Sequence, residues 1–144
     1  MKTIFRTVAG LSLAGCGAFL CAAQGDREPA ARVFELRTYY AAPGKMEALH
    51  ARFRDNTCKL FEKHGMTIVG FWSPIDAEQA KHKLIYLLSF PSQEAAAKSW
   101  KEFRADAQWK AVKDTSERNG KLVEKIESVY LRATDYSRLT GRVE

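Results

Sequence analysis

The order of predicted strands and helices constrains the fold of this chain more than any single motif. Alternating residues over 33–40 predict a β-strand, and Pro43-Gly44 predicts a turn. An apolar stripe at three-to-four spacing then predicts a helix from about Lys45 to His64. Two strand-like runs, a second helical region and a last strand follow. This β-α-β-β-α-β order is typical of an α+β, ferredoxin-like fold, in which a four-stranded antiparallel sheet carries both helices on one face.

Turn and capping residues set the limits of the remaining elements. We expect strands over 67–72 and 83–90, the second of which is apolar on both faces and therefore central in the sheet. Residues 75–82 are predicted to form a polar connector. Ser92 is expected to cap the second helical region, and Asp106 to cap a further helix from Ala107 to about Glu117. The last strand is predicted over 126–133.

The face of the sheet opposite the helices needs a cover. A second copy of the sheet would provide one, so we predict a symmetric homodimer. Residues Phe34, Leu36, Thr38 and Tyr40 share one face of the first strand, whereas Val33, Glu35, Arg37 and Tyr39 share the other. We expect the face with Glu35, Arg37 and Tyr39 to lie toward the partner sheet, with Glu35 and Arg37 pairing across the dimer.

The amino-terminal residues indicate export. Residues 1–23 are typical of a signal peptide, because Lys2 and Arg6 precede an apolar run over 8–20. Leu13-Ala14-Gly15-Cys16 also resembles a bacterial lipobox, in which Cys16 would be lipidated. We favour release into the periplasm or medium over a lipid anchor or an uncleaved anchor, since residues 17–23 stay apolar. Residues 24–32 would then form a flexible lead-in, 33–137 a single domain and 138–144 a polar tail.

Charge and cysteine content exclude several classes of function. Without Lys2 and Arg6, 21 basic and 17 acidic residues leave a net charge of +4, and the bases are spread among acids along the chain. This pattern indicates a solvated mixed surface rather than a nucleic-acid interface. Cys58 is the single cysteine after residue 23, so an exported chain would have no internal disulfide. The sequence has no Gly-rich phosphate loop, G-x-S-x-G elbow or Cys-x-x-Cys pair, and no cofactor is predicted.

Several short motifs resemble the NIPSNAP family. They are the runs 34–39 (FELRTY), 43–45 (PGK), 61–65 (FEKHG), 105–109 (ADAQW) and 134–137 (TDYS). One departure is visible, since the family commonly has proline where this chain has Ala107. The resemblance covers residues 33–137 and implies a dimeric α+β barrel, in which two ferredoxin-like sheets close one barrel. It implies no catalytic residues, because fold relatives of this kind include monooxygenases, haem-degrading enzymes, dehydratases and binding modules.

Candidate functional residues fall into two groups. His64 ends the first predicted helix beside Gly65, where it could act as a general base or complement the carboxyl end of that helix as a cation. Five strand residues could line a small-molecule pocket or form the dimer contact, and we favour the contact: Arg37, Tyr39, Trp72, Tyr86 and Tyr130. Glu47-x-x-His50 has metal-ligand spacing, but a second such pair is missing and no metal site is predicted.

Three hypotheses for function follow from the sequence. The favoured one is an exported, homodimeric NIPSNAP-like protein that binds a small apolar or aromatic ligand or a protein partner. The second is a cofactor-independent monooxygenase-like enzyme that uses His64 with Trp72 or Tyr86. The third is a non-catalytic structural or interaction module of the cell envelope. We favour a function without catalysis, and the sequence does not name a ligand.

Overall fold

The protein folds as an antiparallel sheet with its helices on one face, in a computed structural model that describes residues 32–139. The spatial order of the strands is β2-β3-β1-β4. The strands are β1 Val33–Ala41, β2 Thr67–Trp72, β3 Lys83–Phe90 and β4 Val123–Arg132. The ferredoxin-like fold class predicted from the sequence is confirmed, and β3 is a central strand as expected.

The helices occupy the two crossovers and the loop between β2 and β3. They are α1 Met46–Arg52, a π-helical turn Phe53–Thr57, α2 Cys58–Lys63, α3 Ala77–Ala80, α4 Gln93–Ala105 and α5 Ala107–Ser116. The single helix predicted from Lys45 to His64 is therefore interrupted by the π-helical turn. The connector predicted over 75–82 contains α3, which begins where Asp76 caps the Gln79 backbone N–H. Among the described residues, no helix combines the length and the apolar character needed to cross a bilayer.

Strand register assigns each residue of β1 to a face. Arg37 lies between Tyr86 of β3 and Ser128 of β4, and Glu35 lies between Leu88 and Tyr130. Because Tyr86 and Leu88 are fully buried beneath the helices, Glu35 and Arg37 also lie on the helix-covered face. The prediction that this face looks toward a partner sheet is wrong. Glu35 and Arg37 form an ion pair within one chain.

Large apolar and aromatic side chains form the core between the sheet and the helices. The Tyr86 ring lies at its centre, in contact with rings from β1, β2, the π-helical turn and α2. Trp100 and Phe103 of α4 cover the core on the helix side, and both pack against the ring of Phe61. Edge-to-face and tilted ring pairs of this kind stabilise a core beyond the area they bury.

The opposite face of the sheet, which we call the open face, carries no helix. Its central residues are the aliphatic side chains Leu36, Ile85 and Leu87, and all three remain partly accessible. Val129 on β4 is 54% exposed and Trp72 on β2 is 49% exposed. Residues 133–139 lie against one end of this face, where they help to bury Phe34.

Several predicted boundaries shift in the structure, most of all the start of the last strand. The last strand begins at Val123, three residues before its predicted start, because residues 123–125 pair with the end of β1 despite their charge. The helix capped by Asp106 is present and ends at Ser116. The export signal, the lipobox cysteine Cys16 and the lead-in up to residue 31 lie outside the described residues.

Candidate ligand-binding cleft

A cleft lies between the helix-covered face of the β1–β4 pair and helix α5. At one end it widens into a cavity of about 380 Å³, which we call the cleft cavity. Its walls include Tyr39 and Ile126 from the sheet, Trp109 and Lys113 from α5, and the ion pair Arg52–Glu117. This volume is at the lower end of the range for small-molecule sites, and the mixture of apolar walls with a few polar groups is typical of them.

The cleft is open because the helix layer does not reach β4. Tyr39 and Ile126 face each other across the β1–β4 pair. Arg37 faces Ser128 two residues further along the strands, and Glu35 faces Tyr130 four residues further. The β1 members of these pairs are covered by helices, whereas Ile126 is 45% exposed and Tyr130 is 41% exposed. The β4 members of this row are therefore accessible to solvent from the β4 edge.

A buried carboxylate organises the polar part of the cleft. Glu35 is 1% exposed, and three side chains donate hydrogen bonds to it. Arg37 Nη1 donates at 2.8 Å, Ser128 Oγ at 2.6 Å and Trp100 Nε1 at 2.5 Å. The Arg37 guanidinium also lies over the Trp100 ring, 4.2 Å from its centroid. A buried charge is tolerated only when it is paired and hydrogen-bonded in this manner. We call Glu35, Arg37, Trp100, Ser128 and Tyr130 the Glu35 cluster.

Two buried donors at the inner side of this cluster have no hydrogen-bond partner among the described residues. They are Arg37 Nε and the hydroxyl of Tyr86, on directly opposite residues of β1 and β3. Burial, together with the neighbouring Tyr39, raises the pKa of Tyr86 well above its ordinary value, so its phenol stays protonated. Burial likewise raises the pKa of Tyr130. The donors of the cleft are therefore neutral phenols and guanidinium groups.

A second buried arginine lies between the first long helix and the end of α5. Arg52 Nη1 donates to Glu117 at 2.9 Å, and the guanidinium lies 5.4 Å from the Trp109 ring centroid. Burial alone would raise the pKa of Glu117, but Arg52 and Lys113 together lower it, so the carboxylate is charged. The π-helical turn begins immediately after Arg52, and Thr57 Oγ1 donates to the Arg52 carbonyl at 3.1 Å. Such turns are rare and often occur at functional sites.

His64 lies away from this cleft, in a structural contact between α2 and α5. Its Nε2 is 2.8 Å from the Asp106 carboxylate, which also accepts from Lys63 Nζ at 2.7 Å. The other Asp106 oxygen accepts the Gln108 and Trp109 backbone N–H groups at the start of α5. His64 lines neither the cleft cavity nor the grooves described below. This geometry favours the interpretation of His64 as a helix-end residue that holds α5 in place.

The structure places the five predicted pocket or interface residues in different surroundings. Arg37, Tyr39, Tyr86 and Tyr130 lie on the helix-covered face, in or beside the cleft. Trp72 lies on the open face at the β2 edge, where its ring covers Gly70. Sequence reasoning missed the role of Trp100 as a donor to Glu35 and the burial of Arg52. The glutamate on a strand otherwise rich in aromatic and apolar residues was the available signal for a buried, paired carboxylate.

Two other depressions lie outside the cleft. A shallow groove of about 510 Å³ runs between α1 and α5, with Ala48, Ala51 and Ala111 on its walls. A smaller one of about 230 Å³ lies at the β2 edge, beside His50, Cys58 and Trp72. Burial raises the pKa of the Cys58 thiol, which reduces its reactivity. Within residues 32–139, no cluster of three or more His, Cys, Asp or Glu side chains could hold a metal ion.

Fold and cleft together define an α+β protein with a ferredoxin-like sheet, one open sheet face and a solvent-accessible cleft on the other face. The NIPSNAP family model matches residues 34–138, and the chain belongs to the NIPSNAP family. No curated protein sequence matches the chain.

Solved structures with the same fold come from several bacteria. A NIPSNAP family protein of unknown function from Agrobacterium tumefaciens is 20% identical with a TM-score of 0.66, covering 77% of this chain and 96% of its own. A NIPSNAP-like domain protein from Burkholderia xenovorans is 13% identical with a TM-score of 0.66, covering 77% and 92%. A putative antibiotic biosynthesis monooxygenase from Nitrosomonas europaea is 13% identical with a TM-score of 0.54, covering 75% and 95%. At these identities the likeness shows the fold alone.

Proposed function

We propose that this protein binds a small aromatic or apolar molecule in the cleft between β4 and helix α5. The observation that carries the proposal is the cleft cavity, which has aromatic walls and opens along a strand edge that the helices leave uncovered. The Glu35 cluster adjoins it along the same face of β1 and β4. Buried donors without a hydrogen-bond partner are uncommon in protein cores, and this cluster holds one in Arg37 Nε.

Binding of a neutral aromatic probe tests this proposal directly. We expect 2-naphthalenemethanol to shift the backbone NMR signals of Tyr39, Trp109 and Ile126 in the full chain. Trp109→Ala removes one aromatic wall and should weaken binding by about tenfold, since an aromatic pair contributes about 0.5–1.5 kcal/mol beyond the area it buries. Trp72→Ala, on the open face, is the matched control and should leave binding unchanged. Equal losses in the two variants, or shifts confined to the open face, would disprove the proposed site.

A homodimer formed through the open face is also part of the proposal. Leu36, Ile85 and Leu87 form a continuous apolar surface there, flanked by the exposed Val129 and Trp72. An apolar sheet face of this kind supports packing against a second copy, because isologous contacts need only one self-complementary surface. The proposal that the chain is exported depends on residues 1–23 alone. Native mass spectrometry of protein purified from its own host would report oligomer mass, a lipid on Cys16 and any co-purifying ligand together.

Catalysis by a monooxygenase-like reaction is the second candidate function. It is supported by the fold shared with the Nitrosomonas europaea protein and by the aromatic and guanidinium groups of the cleft. Its chemistry would depend on the Glu35 cluster rather than on His64, since His64 is held by Asp106 outside the cleft. Oxygen consumption with an aromatic substrate that Glu35→Gln abolishes and His64→Gln retains would establish this function. A chain that binds no small molecule would instead support a structural role at the envelope.

A further inference from the structure

The cleft cavity is lined by unequal numbers of positively and negatively charged side chains. Three cationic side chains line it, namely Arg52, Lys113 and Lys121, against two carboxylates, Glu117 and Glu124. Counted by formal charge, these side chains leave the cavity with one positive charge in excess.

One carboxylate of the cavity is shared between two cations. Glu117 Oε1 accepts from Arg52 Nη1 at 2.9 Å, and Glu117 Oε2 is 3.4 Å from Lys113 Nζ. By contrast, Glu35 in the neighbouring cluster is matched with one cation, Arg37. The excess positive charge therefore lies at the α5 end of the cleft and not at the Glu35 end.

Arg52 also has unused hydrogen-bonding capacity. It is 6% exposed, and its Nε has no hydrogen-bond partner among the described residues. A buried donor without a partner is costly, and the cost is removed when a ligand supplies an acceptor. Because guanidinium groups bind carboxylates with particular strength and geometry, an anionic oxygen suits this position best.

We propose that the cleft cavity takes an aromatic monoanion, with its ring against Tyr39 and Trp109 and its carboxylate, or an equivalent single negative group, at Arg52. This inference rests on the proposed function and narrows the class of ligand. The volume of about 380 Å³ suits a molecule of one or two fused rings. Glu117 and Glu124 disfavour a second negative charge, so a dianion is excluded from the preferred class.

Three probes with the same ring system and different charge test the inference. They are 2-naphthoate, the neutral 2-naphthalenemethanol and the cationic 2-naphthalenemethylamine, each titrated into the full chain by calorimetry at low salt and pH 7. We expect 2-naphthoate to bind at least about tenfold more tightly than the neutral probe, and the amine to bind most weakly. The preference should decrease as salt is added, because part of the cavity is exposed to solvent.

Two lysine variants on α5, one inside the cavity and one outside it, test the contribution of a cation to binding of the anion. Lys113→Gln removes one cation from the cavity wall and should weaken 2-naphthoate several-fold while leaving 2-naphthalenemethanol unchanged. Lys110→Gln lies on the same helix outside the cavity and should change neither affinity. Arg52→Lys should reduce the preference for the anion further, provided that its thermal unfolding shows an intact fold.

Two results would overturn the inference in distinguishable ways. Equal affinities for the anionic and neutral probes would remove the charge selectivity and leave the proposed aromatic site in place. Absence of binding by all three probes at Tyr39, Trp109 and Ile126 would overturn the aromatic monoanion together with the proposed function.

Discussion

The two faces of strand β1 differ in a way that inverts the usual relation between polarity and burial. On one face Glu35, Arg37 and Tyr39 are polar, yet α4 and α5 cover them and Glu35 is almost completely buried. On the other face Leu36 and Thr38 are less polar, yet no helix covers them. The comparison shows that covered polar residues need a complete set of partners, whereas an uncovered apolar face needs a partner surface.

The two faces also differ in how their charged side chains are paired. The helix-covered face holds a carboxylate with three donors from β1, β4 and α4, so its polar groups are fixed by tertiary structure. At the open face the charges gather at one end, where Glu127 accepts from Tyr40 at 2.9 Å and contacts Lys125 at 2.6 Å. These are exposed contacts, which contribute little to stability. Four experiments test how far the two faces differ, in order of expected effect.

Removal of the buried carboxylate should have the largest effect. Glu35→Ala leaves Arg37 without its ion-pair partner and the Trp100 and Ser128 donors without an acceptor. We therefore expect the free energy of unfolding to fall by about 3–5 kcal/mol. Urea denaturation followed by circular dichroism measures this change. Glu127→Ala, which removes an exposed carboxylate from the open face, is the control and should unfold nearly as wild type does. Similar losses in both variants would show that the two faces do not differ in this respect.

A charge on the open face should have the next largest effect, and on assembly rather than on the fold. Val129→Lys places two like charges in the proposed dimer contact, which should raise the dimer dissociation constant by about 100-fold or more. Analytical ultracentrifugation of the mature chain measures the shift from dimer to monomer. Ile126→Lys puts the same charge on the helix-covered face of the same strand, and it should leave the dimer intact. A wild-type chain that is monomeric at micromolar concentration would remove the open face as a homodimer contact.

The comparison also shows how much of the molecule could be predicted from its sequence. The strand limits 67–72 and 83–90 agree with the structure because strong turn residues bound both runs. The faces of β1 were assigned wrongly, because alternation distinguishes the two sides of a strand without showing which side the helices cover. Glu35 is buried only because Trp100 and Ser128, 65 and 93 residues away along the chain, donate to it.

The cleft was only partly predictable for a related reason. Tyr39 and Tyr130 were recognised as pocket or interface residues, but Arg52 was not, because a helical wheel places it among exposed charges. The π-helical turn changes the register of the helix immediately after Arg52, and no local sequence signal marks that turn. Its partner Glu117 is 65 residues away along the chain, so the ion pair that borders the cleft cavity depends on tertiary structure.

Acid should weaken the attachment of α5 to the rest of the helix layer. This helix covers part of one sheet face, whereas the open face carries no helix. Hydrogen bonds from Lys63 and His64 hold the pKa of Asp106 well below its ordinary value. Since the unfolded chain binds this proton more readily, the stabilisation is complete above about pH 5 and decreases as pH falls through about 4. Asp106→Asn keeps a capping oxygen and loses the charge, so its melting temperature should be lower than wild type at pH 7, by a margin that narrows toward pH 3.

The pH series needs a control on the same helix. Asp114→Asn removes an exposed carboxylate of α5 and should follow the wild-type curve throughout. Parallel curves for wild type and Asp106→Asn would contradict the role of Asp106 as a charged contact between α2 and α5.

The smallest effect is expected from Gly70→Ala at the edge of the open face. A Cβ atom at this position would lie 3.0 Å from the Trp72 ring, so the ring must move by a few tenths of an ångström. Because the Trp72 side chain is half-exposed and free to adjust, we expect unfolding to change by about 0.5 kcal/mol or less. The indole N–H signal of Trp72 should nevertheless shift in a ¹H–¹⁵N spectrum, while those of Trp100 and Trp109 stay in place. A shift of the Trp100 signal would mean that a change on the open face alters the helix-covered face through β1. The two faces would then not be structurally independent.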